Sequence, residues 1–318
     1  MMRLMDYLHW QDVTVASLNF YKAIGIESLM VHLPERMGDG QDHTDELTNM
    51  RKFVEDQGLE LFVYHAHQLP RDNIIHGRPG RDEQIDNWIK VLRAIGASGV
   101  ATTTTTFYAI SHFRTGSTYG RGGISYSSFN YEKHLKDPPP NDPELAISEE
   151  RLWENLEYFL RRVVPVAEEV GVRIAFHPDD PPIPEPLGGA ARIMVSIENF
   201  QRVFDLVPGD AYGMLFCQGC VAEMGEDVLQ AIRAVGERGK IIFVHFRNIR
   251  GGPYDFEEVF LDEGDMDMVA AMKVYRDVGF DGPIMMDHTP GVPSDPSGMG
   301  SRSYSNGYIK ALIQAVCR

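Results

Sequence analysis

Short apolar runs rich in β-branched and aromatic residues alternate along the chain with amphipathic stretches, and a glycine closes several of these. The runs cover Leu4–His9, Ile26–His32, Leu59–His65, Gly99–Thr105, Val172–His177, Tyr212–Cys217, Ile241–Phe246 and Pro283–His288. Each is short enough for a buried strand, and the threonines of 102–105 favour strand through their branched Cβ. Helices are predicted from Leu18 to Ile24, Asp45 to Gln57, Glu83 to Ala94, Ile197 to Leu206, Glu226 to Glu237, Met266 to Val278 and Ser305 to Val316. A further helix follows Ser148, a good N-cap with Glu149 and Glu150 at the positive helix end, and a Pro165 kink is expected before Gly171. Gly25, Gly58, Gly171 and Gly279 stand where left-handed helix stops are expected.

Strands alternating with helices imply a parallel sheet, and a count near eight favours closure into a single (β/α)8 TIM barrel spanning 1–318. An open doubly wound sheet is the rival, but no strand is followed by the Gly-x-Gly-x-x-Gly fingerprint of its commonest dinucleotide site. Two connections exceed plain links. Residues 107–147, between the fourth strand and its helix, carry Arg114, Tyr119, Arg121 and the Pro138-Pro139-Pro140 run; the other, 178–193, is proline-rich. Long loops at this face of a barrel usually shape or cover an active site.

Composition narrows the field. The 318 residues are 43% hydrophobic and 24% charged, enough for a substantial core. Thirty Lys and Arg against 46 Asp and Glu leave a formal charge of −16, which disfavours nucleic acid and anionic membrane as partners. No apolar run has the length of a membrane span, and the start lacks a signal-peptide core. Three cysteines make a poor disulfide framework, so a cytoplasmic location is expected.

In a parallel barrel all strand C-termini open onto one face, where catalytic groups collect. The last four runs end in Phe176-His177, Phe216-Cys217, Val244-His245 and Met286-Asp287. One strand-end histidine is more often a hydrogen-bonded structural residue. Two imidazoles, a thiolate and a carboxylate on four successive strands point instead to one divalent-metal site. Mixed N, S and O donors are compatible with Mn2+, Fe2+, Co2+ or Zn2+. Cys217 and Cys220 also form a Cys-x-x-Cys, but a zinc ribbon needs a second pair, and Cys220 is expected to be a small loop residue.

These residues stand in stretches with a wider likeness: His177-Pro178-Asp179-Asp180-Pro181-Pro182, Phe216-Cys217-Gln218-Gly219, Val244-His245-Phe246-Arg247-Asn248 and Asp287-His288. With Gly77-Arg78-Pro79-Gly80-Arg81-Asp82, Arg114-Thr115 and Gly264-Asp265-Met266-Asp267-Met268, the chain resembles the mannonate dehydratase family of xylose-isomerase-like barrels over nearly its whole length. The resemblance implies a hydro-lyase of hexuronate breakdown, converting D-mannonate or a related aldonate to a 2-keto-3-deoxy sugar acid. It also implies a divalent metal, Mn2+ first, on His177, Cys217, His245 and Asp287. Removing the proton α to a carboxylate builds an enediolate whose charge a metal stabilises, and loss of the C3 hydroxyl needs a general acid. His288 resembles the family's catalytic histidine, and Tyr304, or Tyr308 in a shifted alignment, its active-site tyrosine.

Arg247, Arg192 and Arg302 are candidates to pair the substrate carboxylate, Arg247 first, because Arg binds carboxylates bidentately. His32, His65 and His67 end earlier strands on the same face and are candidates to touch sugar hydroxyls, His65 among the substrate-binding set. The chain departs from the family at Met285-Met286-Asp287-His288-Thr289, where Arg-Pro-Asp-His-Gly is usual, so a cation near the metal is expected to be missing. It also departs at His9-Trp10-Gln11-Asp12, in place of a Trp-aromatic-Gly-Pro pattern. A small sugar acid is the expected partner, and a homo-oligomer the expected assembly. A metal-dependent isomerase or epimerase on the same barrel, or a non-catalytic sugar-acid-binding homologue, are the alternatives.

Overall fold

The computed structural model describes residues 2–138, 142–295 and 297–317; Pro139 and Pro140 of the proline run lie outside them. Eight parallel strands close a barrel: β1 (Arg3–His9), β2 (Ser28–His32), β3 (Glu60–His65), β4 (Thr102–Thr105), β7 (Arg173–Phe176), β8 (Tyr212–Cys217), β9 (Ile241–His245) and β12 (Pro283–Met285). The ring runs β1-β12-β9-β8-β7-β4-β3-β2, so sequential barrel strands are neighbours and β12 returns to β1. The observed strands follow the apolar runs; β1 begins one residue earlier than its run, and the others are equal to their runs or shorter by a few residues. Among the described residues no helix is long and apolar enough to cross a membrane.

The helices form where apolar faces and caps coincide. Ser148 accepts from the Arg151 backbone N–H and starts Glu149–Val170, which continues through Pro165 to a left-handed stop at Gly171. The last helix begins earlier than its apolar pattern, at Met299 rather than Ser305. Most of the core lies between helices and barrel, with Leu29, Leu61, Ile174 and Phe216 facing Leu92, Leu160, Val203 and Ile232 within one buried cluster. Buried Asp6 on β1 receives Arg302 and Asn306 of the last helix, the latter at 2.6 Å, and so ties the first strand to the end of the chain.

A second cluster fills the barrel itself: Met5, Met30, Val63, Ala175, Leu215, Phe243 and Met285 among others. Side chains along a strand alternate between faces, so the residue two positions further on also points inward, one layer nearer the mouth. Those residues are Tyr7, His32, His65, His177, Cys217, His245 and Asp287. An apolar floor thus carries a polar rim, each rim residue set by its own strand.

A small antiparallel sheet was not anticipated. Strands β5 (Gly116–Tyr119) and β6 (Ser125–Asn130) come from the long 107–147 connection, and β10 (Ile249–Gly252) and β11 (Asp255–Glu258) from a hairpin just after β9. They pair in the order β10-β11-β6-β5, with Phe256 opposite Phe129. This sheet brings Arg114 and Glu258 to the mouth of the barrel.

Candidate metal centre and active site

The four strand-end residues converge. Donor atoms of Cys217, His245 and Asp287 lie within 4.8 Å of one another, as do those of His177, Cys217 and Cys220. In the parallel registers Cys217 is opposite His245, and His245 opposite Met285, two residues before Asp287. Asp287 is the one non-glycine among the described residues with positive φ, at 68°. Such a conformation is costly for a side chain with a Cβ and is held by its surroundings; here it turns the carboxylate to within 3.2 Å of His245 Nδ1.

Several observations fit a divalent ion. The Pro178 carbonyl oxygen, 2.7 Å from His177 Nδ1, can only accept, so that nitrogen carries the proton and Nε2 keeps its lone pair. Both ring nitrogens of buried His245 lack hydrogen-bond partners, since Asp287 is close without hydrogen-bond geometry. Burial would lower the His245 pKa, but the Asp287 charge overrides it and raises it to about 9. Burial would raise the Cys217 thiol, yet a Cys220 hydrogen bond, the Arg247 charge and both histidines hold it well below the usual range. A thiol whose pKa is pushed down, beside a carboxylate and two imidazoles, is the donor set of a cation site.

Beside this set lies a cavity of about 700 Å³, within the range of small-molecule sites. His177, His245, Asp287, His288, His65 and Arg114 are among its walls. His288 is half-exposed, with Nε2 3.4 Å from Asp287 Oδ2, 3.6 Å from Glu258 Oε1 and 3.1 Å from Arg247 Nη1.

The arginines do not present themselves to a substrate as expected. Arg247 is fully buried; besides His288 it donates to Glu223 at 2.6 Å, to Cys220 at 3.3 Å and to Glu258. It stands behind the rim, holding groups in place. Arg192 spends its guanidinium on the backbone oxygens of Pro181, Ile110 and Asp180, at 3.1, 3.0 and 2.8 Å, and pins the loop after β7. Arg302 pairs with Asp6 and Tyr21 on the helix side of β1. None of the three lines the cavity. Arg114 does, but its terminal nitrogens are taken by Asp180 at 2.5 and 2.9 Å and by Glu258 at 2.5 Å.

Other expectations also change. Tyr304 is 44% exposed and packs on Phe260 and the Arg121 guanidinium, outside the cavity. Tyr308 packs against the outer core. Cys220 lies in the short helix Gln218–Glu223, buried beside Cys217, and is no loop residue. Met285 belongs to the apolar floor, so the residue in place of the family arginine fills the barrel beneath Asp287. Glu258 was missed. Its hairpin carries a turn signal in Gly251-Gly252-Pro253, directly after the His245 stretch, that could have revealed it.

On the opposite half of the rim, burial lowers His32 to about 3 and His67 to about 4, and pushes His65 down as well, so all three are neutral imidazoles at neutral pH.

The chain is similar to known proteins in both sequence and fold. The profile of D-mannonate dehydratase (UxuA) matches residues 141–318. Mannonate dehydratase 2 of Halalkalibacterium halodurans is 31% identical over 303 residues, covering 86% of this chain and 87% of that protein. The crystal structure of mannonate dehydratase from Streptococcus suis serotype 2 superposes with a TM-score of 0.85 at 28% identity, over 99% of this chain and 95% of that one. A D-psicose 3-epimerase from Clostridium cellulolyticum H10, at 13% identity and a TM-score of 0.67 over 99% of both chains, shares the barrel. The chain belongs to the mannonate dehydratase family.

Proposed function

We propose that the chain is a metal-dependent hydro-lyase that converts D-mannonate, or a closely related aldonate, to a 2-keto-3-deoxy sugar acid. The observation that carries this reading is the pair of donor triads that share Cys217, one with His177 and the other with His245 and Asp287, beside a cavity that His288 also lines. These four residues would hold a divalent ion, with Mn2+ proposed first on the family resemblance and Fe2+, Co2+ or Zn2+ compatible with the donors. When bound, the ion supplies Lewis-acid stabilisation of the charge that builds at the carboxylate end as C2 loses its proton.

The chain's own groups do the rest. His288 moves a proton at C2 or C3. A guanidinium only donates, so in its contact with Arg247 Nη1 the His288 Nε2 is the acceptor. Glu258, carried by the β10–β11 hairpin, holds Arg247 and Arg114 together at the cavity edge. His65 and His67 form the wall along which the sugar chain lies. The 107–147 excursion serves this face as part of one barrel domain. Two deeply buried thiols suit a reducing, cytoplasmic compartment, and a homo-oligomer is the assembly proposed.

The test is a semicarbazide assay for a 2-keto-3-deoxy product from D-mannonate, with protein reconstituted in Mn2+. Formation of that product supports the reading. A ketose without it would favour an isomerase or epimerase instead, and thermal stabilisation without turnover across an aldonate panel would favour a sugar-acid-binding protein.

A further inference from the structure

The rim of the barrel has a second half. His9, His32 and His65 are in register across β1, β2 and β3, and His67 follows His65 by two residues. Ring centroids are 4.6 Å apart for His9 and His32, 4.4 Å for His32 and His65, and 4.3 Å for His65 and His67. One ring nitrogen from each of His32, His65 and His67 lies within 4.8 Å of the others.

The protein itself leaves these nitrogens unused. Neither nitrogen of His32 has a hydrogen-bond partner, nor does Nδ1 of His67, although all three atoms are shielded from solvent. Shielded polar atoms are normally paired, because leaving one unpaired costs about 1–3 kcal/mol. His65 is oriented from behind: its Nδ1 is bonded to Thr104 Oγ1, which leaves Nε2 for the cluster.

We propose that His32, His65 and His67 form a second cation site, distinct from the Cys217-containing set, for a borderline divalent ion such as Co2+, Ni2+ or Zn2+. Three neutral imidazoles with no carboxylate suit ions that bind nitrogen with covalent character, and suit Mn2+ or Mg2+ poorly. The Arg71 guanidinium, bonded to the His67 carbonyl oxygen, adds a positive charge nearby and sharpens that preference against ions held by charge alone. Small rotations of the rings bring three nitrogens to bonding distance and leave a fourth, tetrahedral position. His65 and His67 line the cavity, so that position faces it, and His65 meets a bound molecule through the ion. The site is independent of which sugar acid the cavity takes.

Titration of the untagged, metal-stripped chain with Co2+ tests this. Two equivalents are expected per chain. One brings thiolate-to-cobalt charge-transfer absorption from Cys217; the other brings ligand-field absorption alone. His67→Gln, on the loop beyond β3, and His32→Gln are each expected to bind one equivalent with the charge-transfer band intact. Cys217→Ser is expected to lose that band and keep the imidazole-only spectrum. Saturation of the folded wild-type chain at one equivalent would overturn the proposal. So would a second equivalent that persists in both glutamine variants.

Discussion

Arg247 Nη1 lies 3.1 Å from His288 Nε2, while Nη2 of the same guanidinium lies 2.6 Å from Glu223 Oε1. One fully buried cation therefore positions the proposed proton-transfer group and binds the carboxyl groups of Glu223 and Glu258. Arg247→Met would leave Glu223 and Glu258 without their main partner. Removing one member of a buried pair costs about 3–5 kcal/mol, and a loss of that size is expected in urea unfolding. A midpoint unchanged from wild type would show that the network contributes nothing net.

His288→Asn keeps a polar group at the cavity wall and removes the transferable proton. Turnover of D-mannonate is expected to fall by about 10²–10⁴-fold, the usual contribution of a general acid or base. Metal content should stay at the wild-type level. A fall in bound metal that parallels the fall in rate would recast His288 as a support for Asp287, whose Oδ2 is 3.4 Å away.

Chelation is expected to abolish product formation and Mn2+ to restore it. In Cys217→Ser the thiolate is replaced by a neutral hydroxyl, a weak ligand, so affinity for Co2+ or Zn2+ at this site should drop at least about tenfold, or about 1.4 kcal/mol. Competition with a chromophoric chelator measures this. Equal affinity in the two proteins would remove Cys217 from the site.

Asp6 gives the stability a predictable pH dependence. Burial raises its carboxyl from 3.8 to about 6, against the lowering effect of Arg302 and its hydrogen bonds. The folded chain thus holds this proton more tightly than the unfolded chain. The group's contribution is fully present below about pH 4 and is lost as pH rises through about 6, by up to about 3 kcal/mol. Asp6→Asn cannot titrate. Relative to that variant, the wild type should lose stability between about pH 4 and 6.5, then run parallel to it. Parallel curves across the whole range would mean that folding does not shift the Asp6 pKa.

Much of the site was legible because it is written strand by strand. Alternation along a strand placed His177, Cys217, His245 and Asp287 at strand ends, and the barrel's parallel order brought those ends together. The arginines were legible only as charges. Arg192 meets carbonyl oxygens of its own loop and of Ile110, 82 residues away, and Arg302 meets Asp6 across 296 residues. No local pattern specifies such partners.

The sequence by itself determined the alternation of strands and helices, the closed barrel and the inward set at its rim, because these follow from short-range periodicity and from the rule that neighbouring parallel strands end together. Only the tertiary structure decided what surrounds that rim. The sheet of β5, β6, β10 and β11 joins polar segments more than a hundred residues apart, as where Asp255 pairs with Asn130, and its strands are too short to announce themselves. That pairing delivers Glu258 and Arg114 to His288 and Arg247. It also closes the guanidiniums into a buried network, since a charge taken from water must find its opposite wherever the folded chain provides one.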